Sequence, residues 1–237
     1  MFFRVVSKMT PDLPKVEIAI VEQTNLFRAK NSLGLVKRNW QLDLAARQFA
    51  RYLAKTRKFS HTADGRKPSE RISATGYKYC RISENLSLRG SANGFNSGNL
   101  AEIAVNGWKN SPIHRRNMMH PGMTEIGVGV AKTPGTHNYL SVQLFGRPDS
   151  FRYTFEIRNT TKFNVRYSLA GRKSYLFART RKFITACNPK KLQFHSSERI
   201  FGRTDYPIYL DTDGRDRFIL LMQDGKLVVS RRRSSKK

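Results

Sequence analysis

Ser111 and His114 stand three residues apart, so one turn of helix would bring a hydroxyl and an imidazole side by side. With Glu84 they supply the groups of a nucleophile, a base and an orienting acid. The same serine precedes Pro112, and a hydroxyl followed by proline is a common helix start, so capping accounts for Ser111 without chemistry. Taken singly, the five histidines read as ordinary surface or core residues. Gly127-x-Gly129 lies in an alternating apolar stretch with no helix after it, so no dinucleotide or phosphate loop and no nucleotide cofactor are expected. Asp211-x-Asp213-Gly214 faintly resembles a calcium loop but lacks the bidentate glutamate, and reads as a plain turn. Tyr77, Tyr79 and Arg81, with Arg71, read either as a stacking face for bases or sugars or as a half-exposed sheet edge.

The elements that would position these groups fall into two textures. Helical spacing runs from Lys15 to about Lys30, where Asn31-Ser32-Leu33-Gly34 ends it. A second helix is expected from Asp43 as N-cap, with Ala45, Phe49, Tyr52 and Leu53 on one face. His61 follows in a loop. Ser69 is expected to cap a short helix to Gly76, and Tyr77 to Leu88 shows no clear period. Asn99 is expected to cap a helix through Leu100, Ile103, Ala104, Gly107 and Trp108, and Ser111 to cap another through His114 to Met119. From Thr124 the period becomes two, with Tyr139 to Phe145 as the partner strand.

After Arg147-Pro148 alternation dominates. Phe151 to Ile157 and Phe163 to Leu169 are expected to pair as a hairpin, followed by strands near Tyr175, Phe183, Leu192, Ile208, Phe218 and Leu227. Asp224-Gly225 is a two-residue hairpin turn between the last two. Several short strands in a small span suggest an antiparallel sandwich or barrel. The expected organisation is α+β: an N-terminal extension over 1–14, a domain over 15–147, a β-rich domain over 148–230 and a basic tail over 231–237.

Five motifs follow one another in order: Phe59-Ser60-His61; Ser83-Glu84-Asn85-Leu86; Trp108-x-x-Ser111-Pro112-x-His114-Arg115-x-Asn117; Thr124 to Val130; and Gln143-x-Phe145-Gly146. Together they resemble the CAP superfamily (cysteine-rich secretory proteins, antigen 5 and pathogenesis-related 1 proteins) in its short bacterial, SCP-like form, over about residues 15–147. Asn25 and Arg28 fit as well. The resemblance implies an α-β-α sandwich whose cleft, in many members, is lined by two histidines and two acidic residues able to hold a divalent metal such as zinc. His61, Glu84 and His114 match three of those positions, and Ser111 stands at the fourth. The implied metal ligands are therefore His61, His114 and Glu84, and the implied ligand-binding residues are His61, Glu84, Ser111 and His114. Two imidazoles and a carboxylate suffice for zinc with an open position; a hydrogen-bonded structural cluster is the other reading of the same residues.

The chain has 237 residues, 44 lysines and arginines against 17 acidic residues, and a net charge of +27 spread over both halves. A surface of that kind attracts polyanions. Nucleic-acid arms concentrate their charge, and the only dense run is Arg231-Arg232-Arg233 with Lys236-Lys237, so an anionic envelope polymer or lipid is expected before nucleic acid. Lys162, Arg166, Arg172 and Lys173 would form a cationic face for it. The apolar content excludes wholesale disorder, and no stretch approaches the ~20 apolar residues of a bilayer-spanning helix. Met1 to Lys8 shows no apolar run of the kind a secretory signal needs, so an extracellular or periplasmic location is implied by the resemblance alone. Cys80 and Cys187 are two only, either paired in an oxidising compartment or buried thiols. Binding is the leading expectation. The rivals are a metal-dependent hydrolase using His61, Glu84 and His114, and a nucleic-acid binder using the tail.

Overall fold

The computed structural model describes residues 9–195, 208–212, 214 and 216–233. The chain divides into two compact units, Met1–Ser150 and Phe151–Lys237.

The first unit is built on a four-stranded sheet with strands β1 (Lys37–Arg38), β2 (Tyr79–Gly90), β3 (Glu125–Lys132) and β4 (Asn138–Pro148), in the order β1-β3-β4-β2. Alternation along β3 and β4 sends Ile126, Val128, Val130 and Phe145 to one face and Ala131, Leu140, Val142 and Leu144 to the other. The first face packs on helices α1 (Leu13–Lys30), α4 (Ser97–Asn110) and α5 (Pro112–Met118); the second packs on α2 (Trp40–Thr56) and α3 (Pro68–Ala74). This is the expected α-β-α sandwich.

Gly127 and Gly129 owe their place to packing. A Cβ at either would collide with the backbone of α2 at Leu42–Asp43 or Ala46–Arg47, so only glycine lets that helix settle on β3.

Three expected helix starts are displaced. The cap of α2 is Asn39, whose Oδ1 accepts from Gln41 N and Leu42 N. Asp43 is drawn inward instead, accepting from Val128 N at 2.9 Å and from Arg38 Nε at 2.7 Å. Asn96 takes the place expected of Asn99, whose own N–H it accepts at 2.8 Å. The helix α3 starts at Lys67 rather than Ser69, with Pro68 at its first position and Glu70 reaching back to Lys67 N. The aperiodic stretch after Tyr77 is the strand β2, and α1 begins inside the expected N-terminal extension.

The second unit is built on two four-stranded sheets, β10-β9-β6-β7 and β12-β11-β5-β8. Their strands are β5 (Tyr153–Asn159), β6 (Val165–Leu169), β7 (Arg172–Leu176), β8 (Arg181–Ala186), β9 (Lys190–His195), β10 (Ile208–Thr212), β11 (Asp216–Gln223) and β12 (Lys226–Arg233). Phe155, Ile157, Phe218 and Leu220 from one sheet and Tyr167, Leu176, Leu192 and Phe194 from the other share one core, which makes a sandwich. One pair, β5 with β11, runs parallel.

The expected β5–β6 hairpin does not form: β5 pairs with β8 and β11, and β6 with β7 and β9. Buried Asn159 fixes the crossing between sheets, donating to the carbonyls of Phe163, Leu176 and Phe177 while accepting from Thr161. The Asp224-Gly225 turn joins β11 to β12 as expected. Arg231 to Arg233 belong to β12 rather than to a tail, and the end of that tail, residues 234–237, lies outside the described residues, as does Asp213.

Candidate functional site

Strand β2 is an edge of its sheet, and two elements close on it from opposite faces. Register sets Glu84 opposite Leu144 on the α2 side and Asn85 opposite Gln143 on the α1 side. The loop after α2 brings His61 to Glu84, and α5 brings His114 to the other side of the same strand.

Glu84 is the centre of the first half. Its side chain is only 3% exposed, and its carboxylate accepts from Arg71 Nη2 at 2.9 and 3.1 Å and meets His61 Nδ1 at 2.7 Å. Arg71 is itself buried: it donates to Asp64 Oδ1, to the carbonyls of Arg66 and His61, and lies 3.5 Å over the Phe49 ring. A carboxylate this deep needs a cation and hydrogen bonds to remain charged. The His61 side chain stays 51% exposed, with its Nδ1 edge against Glu84.

The second half is a chain of amides. Asn117 Nδ2 donates to Asn85 Oδ1 at 2.8 Å and to the Glu84 carbonyl at 3.2 Å. Asn85 Nδ2 donates to Gln143 Oε1 at 2.8 Å and to the His114 carbonyl at 3.2 Å, and Gln143 donates on to Thr24 Oγ1 in α1. This chain locks α5 to the sheet. Burial lowers the pKa of His114 first, and the nearby His61 lowers it further. Arg28, fully buried, ties α1 to the end of α5 through the carbonyls of Met118 and His120 and to the approach of β3 through that of Met123.

His61, Glu84 and His114 are therefore brought together around β2. Ser111 starts α5 but makes no side-chain cap bond, and among the described residues no hydrogen bond joins it to His114. The expected third ligand, Glu84, is held by a guanidinium, and among the described residues no group of three or more His, Cys, Asp or Glu is placed to hold a metal. The three-ligand set does not fit; the donors that remain are two imidazoles. The stacking face is also not formed as expected. Tyr77 is buried and hydrogen-bonded to Glu125, burial chiefly raising its pKa, while Arg71 stacks on Phe49.

Sequence reading missed Arg71 as the partner of Glu84 and gave Asn85, Asn117 and Gln143 no role, although their place within the ordered motifs was the available signal. The expected cationic face is divided as well. Arg166 and Lys173 share an outer face with Ser168 and Tyr175, Arg172 pairs with Leu169 on the other face, and Lys162 sits over the Phe163 ring. Both cysteines are disulfide-bonded, and neither is a free thiol.

Residues 21–145 match the model of the CAP, cysteine-rich secretory protein family, which covers more than half of the chain. The chain belongs to that family. Among solved structures, an outer surface protein of Borrelia burgdorferi is 23% identical with a TM-score of 0.51, over 60% of this chain and 98% of that one. An extracellular protein of Bacillus anthracis containing an SCP domain is also 23% identical, with a TM-score of 0.48, over 57% of this chain and only 41% of that one. The NaASP2 protein, whose crystal structure contains Zn2+, is 13% identical with a TM-score of 0.43, over 59% of this chain and 82% of that one. The first of these likenesses bears on the fold alone. No curated protein matches the chain in sequence. No described helix is long and apolar enough to cross a membrane.

Proposed function

We propose that the chain is an exported, envelope-associated CAP-domain protein that binds rather than catalyses, with His61 and His114 as its recognition groups and a β-rich unit that contacts anionic surfaces. The observation that carries the first part is the buried Arg71–Glu84–His61 relay, which holds one half-exposed imidazole near a second whose pKa burial lowers. A carboxylate behind a histidine is the support that ligating histidines use, because it sets the tautomer and raises the basicity of the outward nitrogen. His61 and His114 would hold a divalent ion such as zinc, with Glu84 behind His61 rather than beside it. Bound there, the ion would supply an electrophilic anchor for an anionic or carbonyl-bearing ligand. Two disulfide-bonded cysteines support an oxidising compartment, and hence export.

A hydrolase reading finds less support, since Ser111 has no bond to His114 among the described residues and Glu84 is neutralised by Arg71. Calorimetric titration of metal-stripped protein with zinc tests the proposal. One saturable site that disappears in His61→Ala/His114→Ala is the expected result; heat that is absent, or unchanged in the double variant, overturns it.

A further inference from the structure

The outer face of the β12-β11-β5-β8 sheet holds a cavity of about 590 Å³ lined by Arg152, Glu156, Phe183, Arg217, Arg232 and Arg233, among others, all within the second unit. Register sets four of these in one row: Phe183 opposite Glu156, Glu156 opposite Arg217, and Arg217 opposite Arg232, one residue from each strand. At the spacing of paired strands the row is about 14 Å long. Glu156 is the only carboxylate among the described residues of the lining. It is buried and paired with Arg217 Nε at 2.7 Å, and Arg233 Nε lies 3.8 Å from Asp216, so the lining carries four guanidinium groups, two of them beside a carboxylate. The adjacent row adds Arg181 and Arg158, both exposed, with Arg181 5.5 Å over the Phe183 ring. Phe183 is 59% exposed, an aromatic ring left on a cationic face although the core of this unit lies on the other side of the sheet.

Guanidinium groups in a row pair with regularly spaced carboxylates, and a flat apolar ring takes the apolar face of a sugar. Disulfide-bonded cysteines argue for a compartment poor in nucleic acid. We propose that this row is a binding groove for a linear, carboxylate-bearing polysaccharide, with acid groups on Arg232 and Arg217 and a sugar ring on Phe183. The proposal rests on the reading of the β-rich unit as the part that contacts anionic surfaces, and names the site and ligand class.

The test is titration of the whole chain with polygalacturonate at several salt concentrations, with fully methyl-esterified polygalacturonate as the uncharged probe. Arg217 is left intact because it neutralises Glu156. Arg232→Ala weakens binding about tenfold and lowers the salt slope by about one, and Phe183→Ser weakens it about fivefold. Lys173→Ala on the other sheet leaves it unchanged, and the esterified polymer does not bind. Equal losses in Lys173→Ala and Arg232→Ala would assign binding to net charge, overturning the groove while leaving surface contact standing. Tighter binding of a single-stranded DNA oligonucleotide at the same salt, lost in Arg232→Ala, overturns the polysaccharide assignment. Absence of binding to any polyanion overturns both the groove and the reading beneath it.

Discussion

Replacing Arg71 with methionine would keep most of the side-chain volume and remove the one guanidinium that neutralises Glu84. In the folded chain Arg71 makes two contacts to the Glu84 carboxylate, one to Asp64, two to backbone carbonyls, and a stack on Phe49. All of this is at 7% side-chain exposure, where solvent screens little. Removing one member of a buried pair strands the other, which costs about 3–5 kcal/mol. For a chain of this length that lowers the unfolding midpoint by about 10 °C. Both tryptophans, Trp40 and Trp108, lie in the first unit, so their fluorescence reports its unfolding by urea or heat without interference from the second. The double variant Arg71→Met/Glu84→Met removes the stranded charge as well and should recover at least half of the loss. A single variant within about 1 kcal/mol of the parent would refute the reasoning, since that is the value of a pair in open water. So would a double variant no more stable than the single one.

Other expectations follow from the same packing and charge. Gly127→Ala places a methyl group against the backbone of α2 and should cost about 1–3 kcal/mol by tryptophan-monitored urea melts, whereas Gly34→Ala meets nothing within 4 Å and should be near neutral. His114 and His120 both have pKa values lowered chiefly by burial, His120 further by Arg81, Arg28 and Arg147. The unfolded chain therefore binds more protons below about pH 6.5. Stability is full above that value and falls as pH drops through the lowered folded-state values. Thermal melts from about pH 7.5 to about pH 5 should show it, with a shallower fall in His120→Asn; an identical slope in that variant would count against it. Thiol titration of the denatured chain should find no free thiol before reduction and two after it, and reduction should lower stability by about 2–4 kcal/mol.

Motif order and apolar period made most of the first unit readable, because α1 and α4 each bury one regular stripe and β3 and β4 bury apolar residues on both faces. β2 escaped for a physical reason. It is an edge strand that buries Glu84, Asn85 and Ser87, so its hydropathy does not alternate even though its side chains do. Helix starts slipped by a few residues where two cap-forming side chains compete, as at Asn39 against Asp43 and Asn96 against Asn99; Asp43 is taken instead by Val128 N and Arg38. The false β5–β6 hairpin has a similar cause. Alternation says that a strand has one buried face, and says nothing about which neighbour it pairs with. His61, Glu84 and His114 were found by motif. Arg71 was not, because a pair separated by 13 residues is created only when α3 folds over β2.

The edge strand that carries Glu84 and Asn85 is exposed to a second hazard, addition of a foreign strand to its unpaired backbone. On β2 two carbonyls are already taken by side chains: Trp108 Nε1 donates to the Leu86 carbonyl at 2.8 Å, and Asn117 Nδ2 to that of Glu84. The tryptophan and asparagine of the family motif thus act as a seal against polymerisation. Weakening either one should show first as aggregation through this edge, before any loss of the imidazoles that it borders.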